Sequence, residues 1–163
     1  MNKKVVIVLS IMLAVLLIVL GGVLYLFYPV LFPSREVLGA DVPEVKITYD
    51  NMEEQLMRQS LIRDIPENGV MLLRFYSFET GERSWKKSYI LRRASVHAGT
   101  LNDADIIISI NERYLEFLTN KNLCSIIMNA QARGDVSVEN SLSKTSLAWK
   151  YRSMLKYKDC LGL

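Results

Sequence analysis

The stretch that decides the fold reads ADIIISINERYLEFLTNKNLCSIIMNAQARGDVSVE and covers residues 104–139. It opens with an apolar run that contains three consecutive isoleucines, which suits a buried strand at residues 104–110. Two apolar stripes with helical spacing follow, at residues 112–118 and 123–132, and Asn111 is a good N-cap for the first. The alternating run VSVE indicates a short strand at the end. The pattern therefore predicts two helices between two strands.

The tripeptide Arg133, Gly134, Asp135 lies between the second helix and the last strand of this stretch. The same letters occur in adhesion sequences, which are expected on exposed, extended tips between strands. Here the glycine falls where a left-handed residue commonly ends a helix, and Asp135 starts the chain toward VSVE. We interpret the tripeptide as a helix-to-strand junction and not as a receptor motif.

The sequence upstream predicts two further strands, at residues 70–78 and 84–98, separated by the turn ETGE. Short connections between successive strands favour an antiparallel meander, because parallel pairing needs a long crossover. Helices are predicted at residues 50–63, with Asp50 as N-cap, and at residues 142–158. Together these elements predict one α+β domain.

The N-terminal part of the chain has the composition of a membrane segment. Residues 5–28 carry no charge, and as a helix they would be about 36 Å long, enough to cross a hydrocarbon core of about 30 Å. A cleaved signal peptide is the alternative, since Lys3 and Lys4 precede the run. Signal peptides have apolar regions of only about 7 to 15 residues, so we predict one uncleaved transmembrane helix.

The flanking charges predict how this helix is oriented. Lys3 and Lys4 lie on one side of it, and Arg35 is the nearest cation on the other. The positive-inside rule then places the N-terminus in the cytoplasm and the rest outside, as a single-pass protein of the cell membrane. The predicted parts are a cytoplasmic tip with the transmembrane helix (1–28), a stalk with Pro and Gly (29–45) and a folded domain (46–163).

The charge balance and the reactive side chains exclude several functions. Residues 35–163 carry 18 basic and 17 acidic side chains, too little positive charge for a protein that binds nucleic acid. His97 is the only histidine, and no nucleophile lies in a recognisable motif beside a base. Asp103 and Asp105 lack the spacing of a calcium loop. We therefore predict no enzymatic activity, no metal and no cofactor.

Cys124 and Cys160 are the two cysteines of the chain, 36 positions apart. An extracytoplasmic domain would allow them to pair, and a long loop closed in this way would add stability. The other interpretation is a buried helical thiol and an unrelated cysteine near the end of the chain. We favour separate thiols, because sequence does not give the Cα distance that a disulfide requires.

The region from about residue 52 to residue 139 resembles the sterol carrier protein type 2 family. The resemblance rests on the Ala-Asp strand with its hydrophobic run, the capped helix, the second helix, the Gly-Asp junction and the final strand. Trp85, after a turn with Gly81, also falls where the family often has a tryptophan. The chain departs from the family at Asn120 and Asn122, where Gly and Pro are common, and a membrane anchor is unusual in it.

The resemblance implies a largely antiparallel sheet of about five strands, with helices packed on one face. It also implies an apolar tunnel between the layers for a sterol, a fatty acyl chain or another apolar molecule. The chain would then be a membrane-anchored, non-enzymatic module that binds or transfers lipid. Its partners would be a lipid and the bilayer that residues 5–28 enter. The side chains that we place on the tunnel wall are Leu115, Leu118, Ile126, Ile127 and Met128.

The basic residues and the function each allow two interpretations. Basic residues crowd the second strand region and the last helix, where they form either a solvated face with local ion pairs or a contact surface for anionic headgroups. The alternative to a lipid carrier is an anchored interaction domain with a filled core, which binds a protein partner through its charged faces.

Overall fold

The computed structural model describes residues 12–22, 43–79 and 81–161. The chain divides into two units, and the second of them, Gly39–Leu163, contains the sheet and its helices. Residues 12–22 belong to the first unit and form a helix, α1, with exposed apolar side chains.

The predicted transmembrane helix cannot be followed over its length. Within the described ranges, no helix is both long and apolar enough to cross a membrane. Residues 5–11 and 23–28 of the predicted span lie outside those ranges, as does most of the predicted stalk. The anchor therefore stays a prediction.

Five strands form a single sheet, and all the predicted strands are present in it. Their bounds are Met71–Ser77 (β1), Ser84–Arg92 (β2), Ser95–Ala98 (β3), Ile106–Asn111 (β4) and Val136–Asn140 (β5). The strand order across the sheet is β3-β2-β1-β4-β5. The run predicted as one strand at residues 84–98 is two strands, β2 and β3, because the chain turns back at Arg93 and Ala94, where Ala94 has a φ of 51°.

The predicted meander is wrong at its third strand, and the sheet is mixed. β4 does not follow β3 in space but lies beside β1, and the two run parallel, with Leu73 opposite Ile108. The other three pairings, β1 with β2, β2 with β3, and β4 with β5, are antiparallel. The short connection after β3 favours a meander, but β2 and β3 lie on one side of β1 and leave its other edge free for β4. β1 is buried along nearly its whole length, which is typical of a central strand.

The core lies on one face of the sheet. Alternate residues of each strand point to this face, because side chains alternate along a strand. In the three inner strands these core residues are Met71, Leu73, Phe75, Tyr89, Leu91, Ile106, Ile108 and Ile110. The helices contribute the other half of the same cluster, as expected for helices packed on one face.

The helical elements are shorter than the sequence predicts. Their bounds are Met52–Met57 (α2), Ser60–Arg63 (α3), the 3-10 helix Glu112–Phe117 (η1), Leu123–Ala132 (α4), Lys144–Lys150 (α5), the 3-10 helix Arg152–Tyr157 (η2) and Lys158–Leu161 (α6). Only α4 matches its predicted span. The helix predicted at residues 142–158 is divided into α5, η2 and the start of α6.

Tertiary hydrogen bonds explain two of these interruptions. The helix predicted at residues 50–63 breaks at Gln59, whose backbone is extended and whose side-chain amide donates to the Thr119 carbonyl at 2.6 Å. The first helix of residues 104–139 has its predicted N-cap, since Asn111 accepts a hydrogen bond from the Arg113 amide at 3.0 Å. It ends as a short 3-10 helix because Leu118 extends to pair with Ile47, the amide of which donates to the Leu118 carbonyl at 2.8 Å.

The junction at residues 133–135 is the helix end that the sequence predicts. Gly134 has a φ of +74°. Its amide donates to the Gln131 carbonyl at 3.0 Å, and the Asp135 amide donates to the Ala130 carbonyl at 2.8 Å. This pair of hydrogen bonds defines a Schellman motif, which ends α4 and turns the chain into β5.

Gly134→Val should destabilise the domain by about 1 to 2 kcal/mol, since an L side chain strains the left-handed backbone. A Cβ at this position would meet no heavy atom within 4 Å, so the loss reports the backbone alone. Urea denaturation followed by circular dichroism measures it. Gly134→Asn is the matched control and should lose less, because asparagine tolerates this conformation. A valine variant as stable as the parent would contradict this assignment.

Candidate functional site

The candidate site is the apolar layer between the core face of the sheet and the pair η1 and α4. Three of the five predicted lining residues, Leu118, Ile126 and Ile127, are buried together in the core cluster. Leu115 packs against the margin of this cluster and is partly buried. Met128 lies apart from them on the outer side of α4, with 47% of its surface exposed. The structure therefore brings four of the five together.

An exposed aromatic residue lies at the end of η1. Phe117, which the sequence places on the buried stripe of this helix, is 61% exposed. The backbone changes direction immediately after it, because Leu118 is extended and turns its own side chain into the core. No sequence signal distinguished Phe117 from Leu118, since both fit an α-helical stripe and the helix is 3-10.

A disulfide closes one side of the layer. Cys124 on α4 and Cys160 on α6 are bonded, with their Cα atoms 5.3 Å apart. The expectation of separate thiols is therefore wrong. It failed because α6 packs against α4, a tertiary contact between residues 36 positions apart that the sequence does not reveal. The bond fixes the end of the C-terminal segment to the helix that carries Ile126 and Ile127.

A buried carboxylate fixes the other end of the same segment. Asp105, just before β4, accepts two hydrogen bonds from the Lys150 ammonium at 2.9 and 2.8 Å and one from the Tyr151 hydroxyl at 2.8 Å. The Val70 amide donates to it at 2.9 Å. The sequence places Asp105 at the start of a predicted strand and gives no sign of this role, because its partners are far away in the chain.

The same contacts determine the protonation states of Asp105 and Tyr151. Burial by itself would raise the pKa of Asp105, but the hydrogen bonds from Lys150, Val70 and Tyr151 outweigh it and lower the pKa below the ordinary value. Burial, and then the hydrogen bond to Asp105, raises the pKa of the Tyr151 hydroxyl. At neutral pH the carboxylate is therefore charged and the phenol neutral.

The opposite face of the sheet, which we call the rear face, is polar and aromatic. Arg74 lies at its centre, with Nε donating to the Ser109 hydroxyl at 2.6 Å and the guanidinium 4.1 Å from the centre of the Trp85 ring. Arg83 covers the ring of Tyr76 at 4.4 Å. Trp85 stays 48% exposed. Both cations stack on aromatic rings. Arg83 stays exposed, whereas the Arg74 guanidinium is also paired with the Glu139 carboxylate at 2.8 Å.

The junction tripeptide does not present its carboxylate. Asp135 accepts hydrogen bonds from the Tyr114 hydroxyl, at 2.8 Å, and from the Arg113 guanidinium. Its backbone carbonyl accepts from the Tyr76 hydroxyl at 2.9 Å. The side chain of Asp135 is thus engaged within the domain, which confirms the interpretation as a structural junction.

Comparisons with known proteins do not assign the chain to a family. No protein-family model matches the chain, and no curated protein matches it. Among solved structures it is similar to sterol carrier protein 2 from Yarrowia lipolytica in its apo form, with 14% identity over 52% of this chain and 71% of that one, and a TM-score of 0.33. It is also similar to the UbiJ-SCP2 ubiquinone synthesis protein, with 10% identity over 61% and 76% of the two chains and a TM-score of 0.33. Similarities this weak do not show the fold or the function of this chain.

Asp105→Asn should make the domain less stable at pH 7 by about 2 to 3 kcal/mol, because it weakens hydrogen bonds to a charged group. A carboxylate with a lowered pKa stabilises the fold above its ordinary titration range near pH 4, and this contribution is lost as the pH falls through the folded-state value. The difference between the parent and the variant should therefore shrink as the pH falls from about 5 toward 2.

Chemical denaturation at a series of pH values measures this difference. Asp103→Asn, which changes an exposed carboxylate two residues away, is the matched control and should leave the stability nearly unchanged. A loss at Asp105→Asn that is the same at pH 7 and at pH 3 would contradict a charged Asp105.

Proposed function

We propose that this chain is a membrane-anchored, non-enzymatic module that takes up the apolar chain of a lipid between its sheet and helices. Three findings support the proposal: the apolar segment at residues 5–28, the sequence resemblance at residues 52–139, and the convergence of Leu118, Ile126 and Ile127 in one layer. A fourth observation carries most weight: the place where the chain enters the domain, at residues 43–46.

The chain joins the domain beside the predicted lining residues. The Val45 amide donates to the Asn120 side chain at 3.1 Å, and the Asn120 amide group donates to the Pro43 carbonyl at 3.2 Å. Lys46 forms an antiparallel backbone β-bridge with Thr119, next to Leu118. The residues that lead from the predicted anchor into the domain are therefore paired with the chain directly after Leu118 and the exposed Phe117.

The length of the tether limits how far the domain can lie from the membrane. Residues 29–42 separate the predicted span from the first bonded residue of the domain, and 14 residues extend to about 46 Å at most. The domain thus stays close to the membrane. Each domain would meet lipid at a high effective concentration, as for any tethered pair of binding partners.

Lipid uptake by such a layer requires side chains to move apart, since the lining residues are packed in the core. An acyl chain gains about 0.8 kcal/mol per CH₂ when it leaves water, but almost nothing when it moves from a bilayer to an equally apolar protein site. Opening the layer then has to be compensated by the new contacts alone. We therefore infer weak, reversible binding, which suits transfer better than storage.

The disulfide supports the proposed location. Disulfides persist in oxidising compartments and are rare in the cytosol. The bond between Cys124 and Cys160 therefore favours a domain outside the cytoplasm, on the side of the cell membrane that the charges around residues 5–28 predict. We propose a single-pass protein with a cytoplasmic N-terminus.

The alternative is an anchored interaction domain that binds a protein partner. The rear face favours it, because Trp85 and Phe78 are half exposed there beside Arg83. A filled core is consistent with this alternative as well. The two functions differ in the face of the sheet that is used, and substitutions in the apolar layer distinguish them.

Leu118→Trp and Ile127→Trp should each abolish most lipid uptake, because the added ring occupies the space that an acyl chain would enter. Ile127→Ala should keep or increase uptake, although the space it leaves costs about 2 to 5 kcal/mol of stability. The measurement is binding of a fluorescent fatty acid to the domain. The full chain is produced first, and the folded domain is then released by a protease site inserted in the stalk.

Ser125→Trp is the matched control, since Ser125 is exposed on the same helix, α4, and uptake should persist. Circular dichroism and the intact disulfide identify folded variants. Undiminished uptake by a folded Leu118→Trp or Ile127→Trp variant would contradict the layer as the site. Absence of uptake by the parent domain and of lipid extracted with it would contradict lipid binding itself.

A further inference from the structure

The basic residues fall into two classes once their partners are known. In the second strand region, Lys86 pairs with Glu79 at 2.6 Å and Arg93 pairs with Glu67 at 3.0 Å. In the C-terminal segment, Lys156 pairs with Asp64 at 2.9 Å, and Lys150 is fixed to the Asp105 carboxylate. These four cations therefore form ion pairs within the domain.

Three cations of the C-terminal segment, Lys144, Arg152 and Lys158, form no ion pair within the part of the chain that the structure describes. All three are exposed. Asp159 is the only acidic residue from residue 144 to residue 161. The outer side of this segment is therefore positive, with Asp159 as its one acidic side chain.

Trp149 lies within this positive segment and is 65% exposed. Its ring centre is 5.5 Å from the Arg152 guanidinium. Leu147 and Tyr151, on the inner side of the same turn, are buried in the core and hold the indole outward. A tryptophan held out of the core beside cations is suited to a surface that is apolar below and anionic above, as a bilayer interface is.

We propose that the outer side of α5, η2 and the start of α6 docks on an anionic bilayer, with Trp149 among the headgroups and Lys144, Arg152 and Lys158 near the lipid phosphates. This proposal deepens the proposed function and rests on its membrane anchor, because the tether keeps the bilayer within reach of the domain. The charge complementarity and the exposed indole favour a lipid surface over an acidic protein. A flat, fluid surface can meet three separately placed cations without matching their geometry.

Docking of this kind predicts a strong dependence on lipid charge. Each cation near an anionic surface adds favourable binding free energy. Removal of three cations should therefore weaken docking about a hundredfold. Salt should weaken it as well, since the charges are exposed. A bilayer of phosphatidylcholine alone should not hold the surface.

The test uses the full chain reconstituted in lipid nanodiscs, with Trp85→Phe so that Trp149 is the sole tryptophan. We expect brominated lipid to quench Trp149 fluorescence in discs that contain phosphatidylglycerol, and iodide to quench it in discs of phosphatidylcholine alone. Substitution of three cations by glutamine (Lys144, Arg152 and Lys158) should restore quenching by iodide. The matched control removes the same charge elsewhere (Lys87, Arg92 and Lys121 to glutamine) and should keep Trp149 on the lipid.

Several outcomes would overturn the proposal. If the chain is retained in discs and iodide quenches Trp149 equally in both lipids, docking is wrong while the anchor and lipid uptake stand. Quenching changes produced by added polyglutamate and not by lipid would make an acidic protein the partner. A chain that does not stay in the discs would remove the anchor, and the docking proposal with it.

Discussion

The parallel pairing of β1 with β4 is the constraint on which the rest of the structure depends. It joins residues 71–76 to residues 106–111 at the centre of the sheet, so that β1 has a partner on both edges and apolar residues on both faces. Because β4 leads directly into η1 and α4, this pairing also decides where the helices lie. The layer that contains Leu118 and Ile127 exists only because β4 crosses the sheet to reach β1.

The C-terminal segment completes this arrangement from outside. It supplies Leu147, Tyr151 and Met154 to the core, and it is held by Asp105 at the start of β4, by the disulfide on α4 and by Asp64 after α3. The first two attachments are made to residues of the stretch 104–139. The segment that closes the apolar layer is therefore fixed to the two elements that define it. The outer side of the C-terminal segment carries Trp149 and cations that do not contribute to the core.

The sequence predicted local structure better than it predicted pairing. The span of α4, the Asn111 cap, the Gly134 junction and the strand after it follow from local rules, and they are confirmed. The partner of β4, the disulfide and the break at Gln59 depend on residues far away in the chain, which no local pattern encodes. The exposure of Phe117 escaped prediction for a related reason, since a 3-10 helix and an α-helix of six residues have similar sequence patterns.

The same distinction applies to the candidate site. The spacing of Leu118, Ile126 and Ile127 indicated residues that face inward, and the structure places them in one layer. Spacing did not show that Met128 faces outward, nor that the N-terminal segment joins the domain beside Leu118. Nothing local to these side chains distinguishes a packed core from a layer that opens for a lipid, because both use the same apolar residues. That distinction depends on the energy of opening, which only a ligand can reveal.

The most direct measurement is methyl NMR of the released domain during titration with a deuterated fatty acid. The account predicts that the methyl groups of Leu118, Ile126 and Ile127 shift as the ligand binds, while that of Ile107, on the rear face, does not. Shifts confined to Ile107 and to the Trp85 indole would contradict it, and would place binding on the rear face of the sheet.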